Sequence, residues 1–191
     1  MPVRIEAYAS TGMAAGWLRG APHARSVLES GEPLELERAT WQGLPDLAAA
    51  TSDLLTLDPD DVIALVDDDE SSLPVHSAWH AVSLEAGPYR IHGELPTLPG
   101  FDPGRALTRP SGEFVLLRDL RIELIDRPEL GTVVAGHGLV NRYAVERVEA
   151  DIMLAFFFPG AATPAVLPPG SIAAPDHAPT AAVQPSPTAA S

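Results

Sequence analysis

The stretch VSLEAGPYRIHGEL, residues 82 to 95, follows the plan of the chain's opening, VRIEAYASTGMAAGWL at 3 to 18. Both begin Val, any residue, a hydrophobic residue, Glu, Ala; both pass through a turn and reach Gly-x-Leu, so that Gly16 and Leu18 answer to Gly93 and Leu95. Two further blocks recur in the same order. LELERATW at 34 to 41 matches VLLRDLRI at 115 to 122, and VIALVDD at 62 to 68 matches VERVEAD at 145 to 151. The offsets are 79 for Val3 to Val82, 77 for Gly16 to Gly93, 81 for Trp41 to Ile122 and 83 for Val62 to Val145, a drift that small loop insertions produce. Ordered recurrence constrains the fold more than composition does, because a repeated unit must close its own core and then meet its copy. The chain reads as two copies of a module of about seventy residues.

Each module reads as β. Val82 and Leu84, then Tyr89 and Ile91, fall at period two on either side of a Gly-Pro turn, as half-buried hairpin strands do. Val3 and Ile5 precede a Ser10-Thr11-Gly12 turn, with Trp17 on the returning strand. In EFVLLRDLRIELI a nearly continuous apolar run gives way to alternation at Leu120, Ile122 and Leu124. Short helical turns are expected from Pro22 (PHARSVLES) and from Asp102 (DPGRAL), where Asp suits an N-cap and Pro the first helical position. The expected fold class is mainly β: two related small SH3- or Sm-like barrels in tandem, with module 1 at 1–70, a linker at 71–81, module 2 at 82–158 and a disordered tail at 159–191. That tail holds eight Pro and ten Ala in 33 residues with Asp176 its one formal charge, too little apolar surface and too few amide donors for regular structure.

The order VSLEAG, YRIHGEL, FVLLRDLRIEL and, after a gap, GLVNRYAVERVEAD resembles Sm-like proteins, over roughly residues 80 to 150 and more weakly over 3 to 69. The resemblance implies strongly bent five-stranded barrels that assemble through strand edges, many of which bind RNA. The RNA signature is not matched. Phe101-Asp102-Pro103-Gly104-Arg105 stands where that family tends to carry Asp-x-x-x-Asn, and Asn141-Arg142-Tyr143 where it tends to carry a basic residue followed by Gly.

Charge argues the same way. A net charge of −14 repels a phosphate backbone, so nucleic acid is not an expected partner. Residues 1 to 81 carry a net −10 and residues 82 to 158 a net −3. All twelve basic residues are arginine and there is no cysteine, which removes Schiff-base lysines, thiol nucleophiles and disulfides, and fits a GC-rich bacterial genome. No leader pattern opens the chain, and the longest apolar run, IMLAFFF at 152 to 158, is far short of a membrane span, so a cytoplasmic protein that does not enter the membrane is expected.

Candidate chemistry is sparse. His76 and His80 form H-x-x-x-H, which on a helix would put two imidazoles on one face as metal ligands, but LPVHSAWHAVSL runs into a strand. Asp58, Asp60, Asp61 and Asp67, Asp68, Asp69, Glu70 lack calcium-loop spacing and read as solvated turns. Ser111 in RPSGE sits outside any nucleophile elbow, and His92 and His137 stand singly beside glycines. No catalytic residue and no cofactor is expected. Arg118, Arg121, Arg142 and Arg147 are expected to pair mostly with the neighbouring Asp119, Glu123, Glu146 and Glu149, and are otherwise candidates for a face that docks the acidic module; Phe156, Phe157 and Phe158 read as part of a buried final strand, or as a self-association patch if exposed. The expected function is a non-catalytic scaffold, adaptor or self-assembly module with protein, itself included, as partner. The alternative is a small-ligand or metal site between the modules involving His76, His80 and His92.

Overall fold

A computed structural model describes residues 3–20, 23–44, 46–67, 78–98, 112–152, 154 and 156–163. Ten strands form one continuous antiparallel sheet: β1 (Arg4–Ala9), β2 (Gly12–Leu18), β3 (Leu34–Gly43), β4 (Ala49–Leu57), β5 (Val62–Asp67), β6 (Ala78–Ala86), β7 (Tyr89–Thr97), β8 (Phe114–Leu124), β9 (Val133–Asn141) and β10 (Arg147–Ala150). One helix, α1 (Ala24–Ser30), lies between β2 and β3; Ala24 and Leu28 face inward, and Gly31 in the left-handed region ends it by returning its N–H to the Leu28 carbonyl. The expected turn at Asp102 and the acidic run 68–70 lie outside the described residues. Ala78–Ala81, expected in the linker, are already strand.

The sheet runs β10-β6-β7-β8-β9-β5-β1-β2-β3-β4. In each half the order is therefore fifth, first, second, third, fourth, and the fourth strand of the second half pairs with the fifth of the first at β9–β5. Register follows position for position. Ile5 faces Gly16 as Val82 faces Gly93, an offset of 77. The sequence pairing of Val3 with Val82 is thus off by two, because the turns Ser10-Thr11 and Gly87-Pro88 are equal in length and leave no room for a shift. Leu18 and Leu36 correspond to Leu95 and Leu117, both fully or nearly buried pairs.

Each half bends at the same place. The β2–β3 ladder slips between Ala15 and Trp17, and the β7–β8 ladder between His92 and Glu94, around Gly16 and Gly93. A Cβ on Gly16 would come within 3.0 Å of the Leu36 Cβ and 3.1 Å of the Glu37 carbonyl; on Gly93 it would come within 3.0 Å of the Arg118 carbonyl. On the facing strands Arg38 and Asp119 take positive φ, 51° and 50°. A bulge with left-handed backbone turns a strand sharply, and glycine opposite it lets the two backbones close up. The fourth-to-fifth connections match as well: Asp58 Oδ1 accepts from the Asp60 N–H at 3.0 Å, and Asn141 Oδ1 from the Tyr143 N–H at 2.9 Å, a local turn that short side-chain acceptors favour.

Two hydrophobic cores result, and each borrows from the other half. The core around Ile5, Leu28, Leu34 and Leu36 takes in Phe114, Leu116 and Leu139; the core around Leu84, Ile91 and Leu117 takes in Tyr8, Ile63 and Ala64. Strands at and beside the junction are consequently buried on both faces, Val62–Leu65 in β5 and Phe114–Leu117 in β8, the neighbour of β9, without a break, while β3 alternates at Leu34 and Leu36.

Candidate functional site

The junction and the two sheet edges are the places where this fold has unusual geometry. At the junction, Ala64 pairs with Val140 and Leu65 with Leu139. Gly138 makes that approach possible, since a Cβ there would lie 2.8 Å from the Leu65 carbonyl and 2.7 Å from Leu120 Cδ2. His137 Nε2 lies 2.8 Å from Asp67 Oδ1, with side chains only 5% and 9% exposed. Tyr89 crosses from β7 to donate its hydroxyl to the carbonyls of Ala9 (2.9 Å) and Gly12 (3.2 Å), and stacks edge-on against Tyr8 with ring centroids 5.6 Å apart. Burial raises both phenols above their ordinary value, with the Glu6 carboxylate adding to the effect on Tyr8.

A cleft of about 390 Å³ opens beside this junction, with Tyr8, Met13, Leu47, Leu124, Leu130 and Val133 in its wall and Glu6 and Glu123 among its polar groups. Neither His80 nor His92 lines it. His92 sits instead in a charged depression with Glu85, Arg90, Arg147 and Glu149. His80 is on strand β6, its Nε2 3.1 Å from Thr97 Oγ1 and its Nδ1 3.7 Å from Asp151, so the helical two-histidine arrangement does not occur; His76 and Ser111 lie outside the described residues. Among the described residues no three His, Asp or Glu side chains gather where a metal ion could be held.

The edge strands differ from each other. β4, AATSDLLTL, is nine residues long, largely exposed and carries one charge, Asp53; Leu54 is 42% exposed, and its outward carbonyl accepts from Ser52 Oγ at 2.6 Å. It lacks the lysines and prolines that commonly blunt an edge. β10 is only four residues, and the chain beyond it returns along it: Ala162 N–H donates to the Glu146 carbonyl at 2.7 Å, and Val148 N–H to the Ala162 carbonyl at 3.0 Å. The segment expected to be tail from Pro159 onward is thus laid against β10 through Ala162, because these two outward groups of the strand take it up; residues 164–191 lie outside the described residues.

The candidate interface residues separate. Phe158 is fully buried in the second core and Arg142, also buried, donates to the Phe156 carbonyl at 2.9 Å, so neither is offered to a partner; Phe156 and Phe157 are half-buried. Arg118 is held by Glu94 and lies 4.0 Å over the Trp79 ring, and Arg147 lies 3.9 Å from Glu85. Both find carboxylates within their own half rather than in the acidic one. Arg121 is exposed on β8 opposite His92. Sequence reasoning missed Tyr89, Gly138, Ala162 and the β4 edge; only β4, a long strand pattern with one charge, carries a readable signal.

No family model matches the chain, and neither a curated protein nor a solved structure does. Among the described residues, no helix is long and apolar enough to cross a membrane.

Proposed function

We propose that the chain is a duplicated five-stranded module, Sm-like in strand order, that acts as a non-catalytic scaffold by joining copies edge to edge. One observation carries this reading: β4 and β10 occupy in their halves the places that β9 and β5 occupy in theirs, and β9 and β5 are already joined. At an offset of 83, Leu139 corresponds to Thr56 and Leu65 to Val148, so β4 of one copy meets β10 of the next with Thr56 opposite Val148. Such a contact is head to tail, and it propagates until a ring closes or a filament grows. The net charge of −14 sets RNA aside as the ligand of the assembly.

The test is the mass of the full chain in solution across concentration, by light scattering after size exclusion. Association that rises with concentration and is abolished by Thr56→Pro, which deletes an outward edge donor, is the expected result. Concentration-independent monomer in wild type and in a variant with a bared β10 edge overturns the reading.

The junction cleft favours a second reading, a small apolar ligand held between the halves. A rise in melting temperature with such a ligand, lost in Met13→Glu, supports it.

A further inference from the structure

The edge that β10 would offer to a second copy is already occupied by the chain itself. We infer that the segment 156–162 is a built-in cap whose release controls edge-to-edge assembly, an inference that rests on the proposed pairing of β4 with β10.

The segment is anchored and yet its pairing is slight. Leu154 and Phe158 are buried in the second core, and Arg142 holds the Phe156 carbonyl. Phe157 N–H returns to the Leu154 carbonyl at 2.8 Å and Ala161 N–H to the Phe158 carbonyl at 3.2 Å, which folds the chain back toward β10. There, exposed Ala162 makes a single parallel bridge to Arg147. The Val148 N–H it covers is the counterpart of the Leu65 group that faces β9 at the junction. Two backbone hydrogen bonds at a solvent-exposed residue contribute little individually, whereas anchoring by Phe158 keeps Ala162 at high local concentration over the edge. A cap of this kind holds copies apart when dilute and yields when another β4 supplies a longer antiparallel ladder.

Ala162→Pro deletes the donor to the Glu146 carbonyl while leaving Leu154 and Phe158 in place. Since Ala162 is exposed, the core is untouched. Expected is self-association tightened by about tenfold or more, the size of one to two lost hydrogen bonds, in the full-length chain by light scattering, with the gain removed in the double variant with Thr56→Pro. Hydrogen exchange of the Val148 amide, read by NMR in the same samples, reports whether the edge has been bared. Wild type and Ala162→Pro associating equally, both blocked by Thr56→Pro, would overturn the cap and leave assembly standing. An Ala162→Pro protein whose Val148 amide has lost protection and which remains monomeric would overturn edge-to-edge assembly, and the cap with it.

Discussion

The two halves of the sheet share a backbone path and differ in what they place on it. Leu55 in β4 corresponds to Gly138 in β9, and Ala39 in β3 to Leu120 in β8. Each half fills the same space, one with Ala and Leu, the other with Leu and Gly, but only the glycine version lets a neighbouring strand come close. Tyr8, Met13, Ala15 and Gln42 of the first half correspond to Glu85, Arg90, His92 and Glu123 of the second, the wall of the junction cleft with Tyr8 buried in one and an ion-paired surface in the other. The bend and the strand order therefore tolerate wide change at the surface. Partnering does not: the half that is joined has the small residue at the joint, and the proposed copy-to-copy pairing through β4 would have to accommodate Leu55.

The largest effect expected from breaking this comparison is at Gly138. Gly138→Leu places a side chain against the Leu65 carbonyl and Leu120, where backbone has to move, and overpacking of this kind costs roughly 3 kcal/mol. The melting temperature should fall by about 6 to 12 °C for a chain of this size, read by calorimetry. Leu55→Gly, the reverse exchange at the free edge, loses a half-buried side chain and is expected to cost about 1 kcal/mol. Equal costs at the two sites would mean that the junction is no tighter than the edge.

Tyr89 sharpens the contrast, because its counterpart in the first half is Gly12, one of the two residues whose carbonyl it caps. Tyr89→Phe keeps the ring against Tyr8 and leaves the Ala9 and Gly12 carbonyls without this donor. A loss of about 1 to 3 kcal/mol in urea unfolding is expected. A loss below about 0.5 kcal/mol would show that water replaces the hydroxyl and that the shared cores and the strand ladder hold the halves without it.

How much of this was legible can be argued residue by residue. The recurrence that underlies the bends was, because it rests on local signals: Gly16 and Gly93, each followed two residues on by a buried leucine, recur with the charged pairs Glu37-Arg38 and Arg118-Asp119, although nothing in the sequence says that the strands bend there. The mainly β class was legible for the same reason. The junction was only half legible. Unbroken apolar runs at Val62–Leu65 and Phe114–Leu117 mark strands buried on both faces, but nothing in a run names its partner. Tyr89 and Ala162 were invisible, since their roles depend on carbonyls 77 to 80 residues away in one case and on a single bridge in the other. The triple phenylalanine was half legible: its apolarity marks burial, and Phe158 is buried, but a turn rather than a strand carries it and leaves Phe156 and Phe157 half-buried.

A smaller, pH-dependent effect follows from the paired tyrosines. Both phenols are raised on folding, so the folded state holds its protons where the unfolded chain, with an ordinary value of about 10, loses them. Stability is therefore intact below pH about 10 and declines above it, until the folded-state values are reached. While both remain protonated only in the folded protein, the slope approaches twice about 1.4 kcal/mol per pH unit. Tyr8→Phe should halve that slope between pH 10 and 11 and change neutral-pH stability little, because its hydrogen bond to Glu6 is long at 3.3 Å. An unchanged slope would assign the alkaline loss to groups other than the Tyr8 phenol.

The smallest expected difference lies between the corresponding charges Glu37 and Arg118. Arg118 hydrogen-bonds Glu94 at 2.6 Å and covers the Trp79 ring, so its contacts combine an ion pair with a stacked face, and Arg118→Ala is expected to cost about 1 kcal/mol. Glu37 reaches Arg19 only at 3.5 Å between side chains each 54% exposed, and Glu37→Ala should stay within about 0.5 kcal/mol of wild type. Raising salt to about 1 M shortens the screening length to about 3 Å and should erase whatever Glu37 contributes, while the Trp79 contact keeps part of the Arg118 effect. If salt removes both differences alike, Arg118 acts as a charge only, and the stacked ring contributes nothing measurable to the second half.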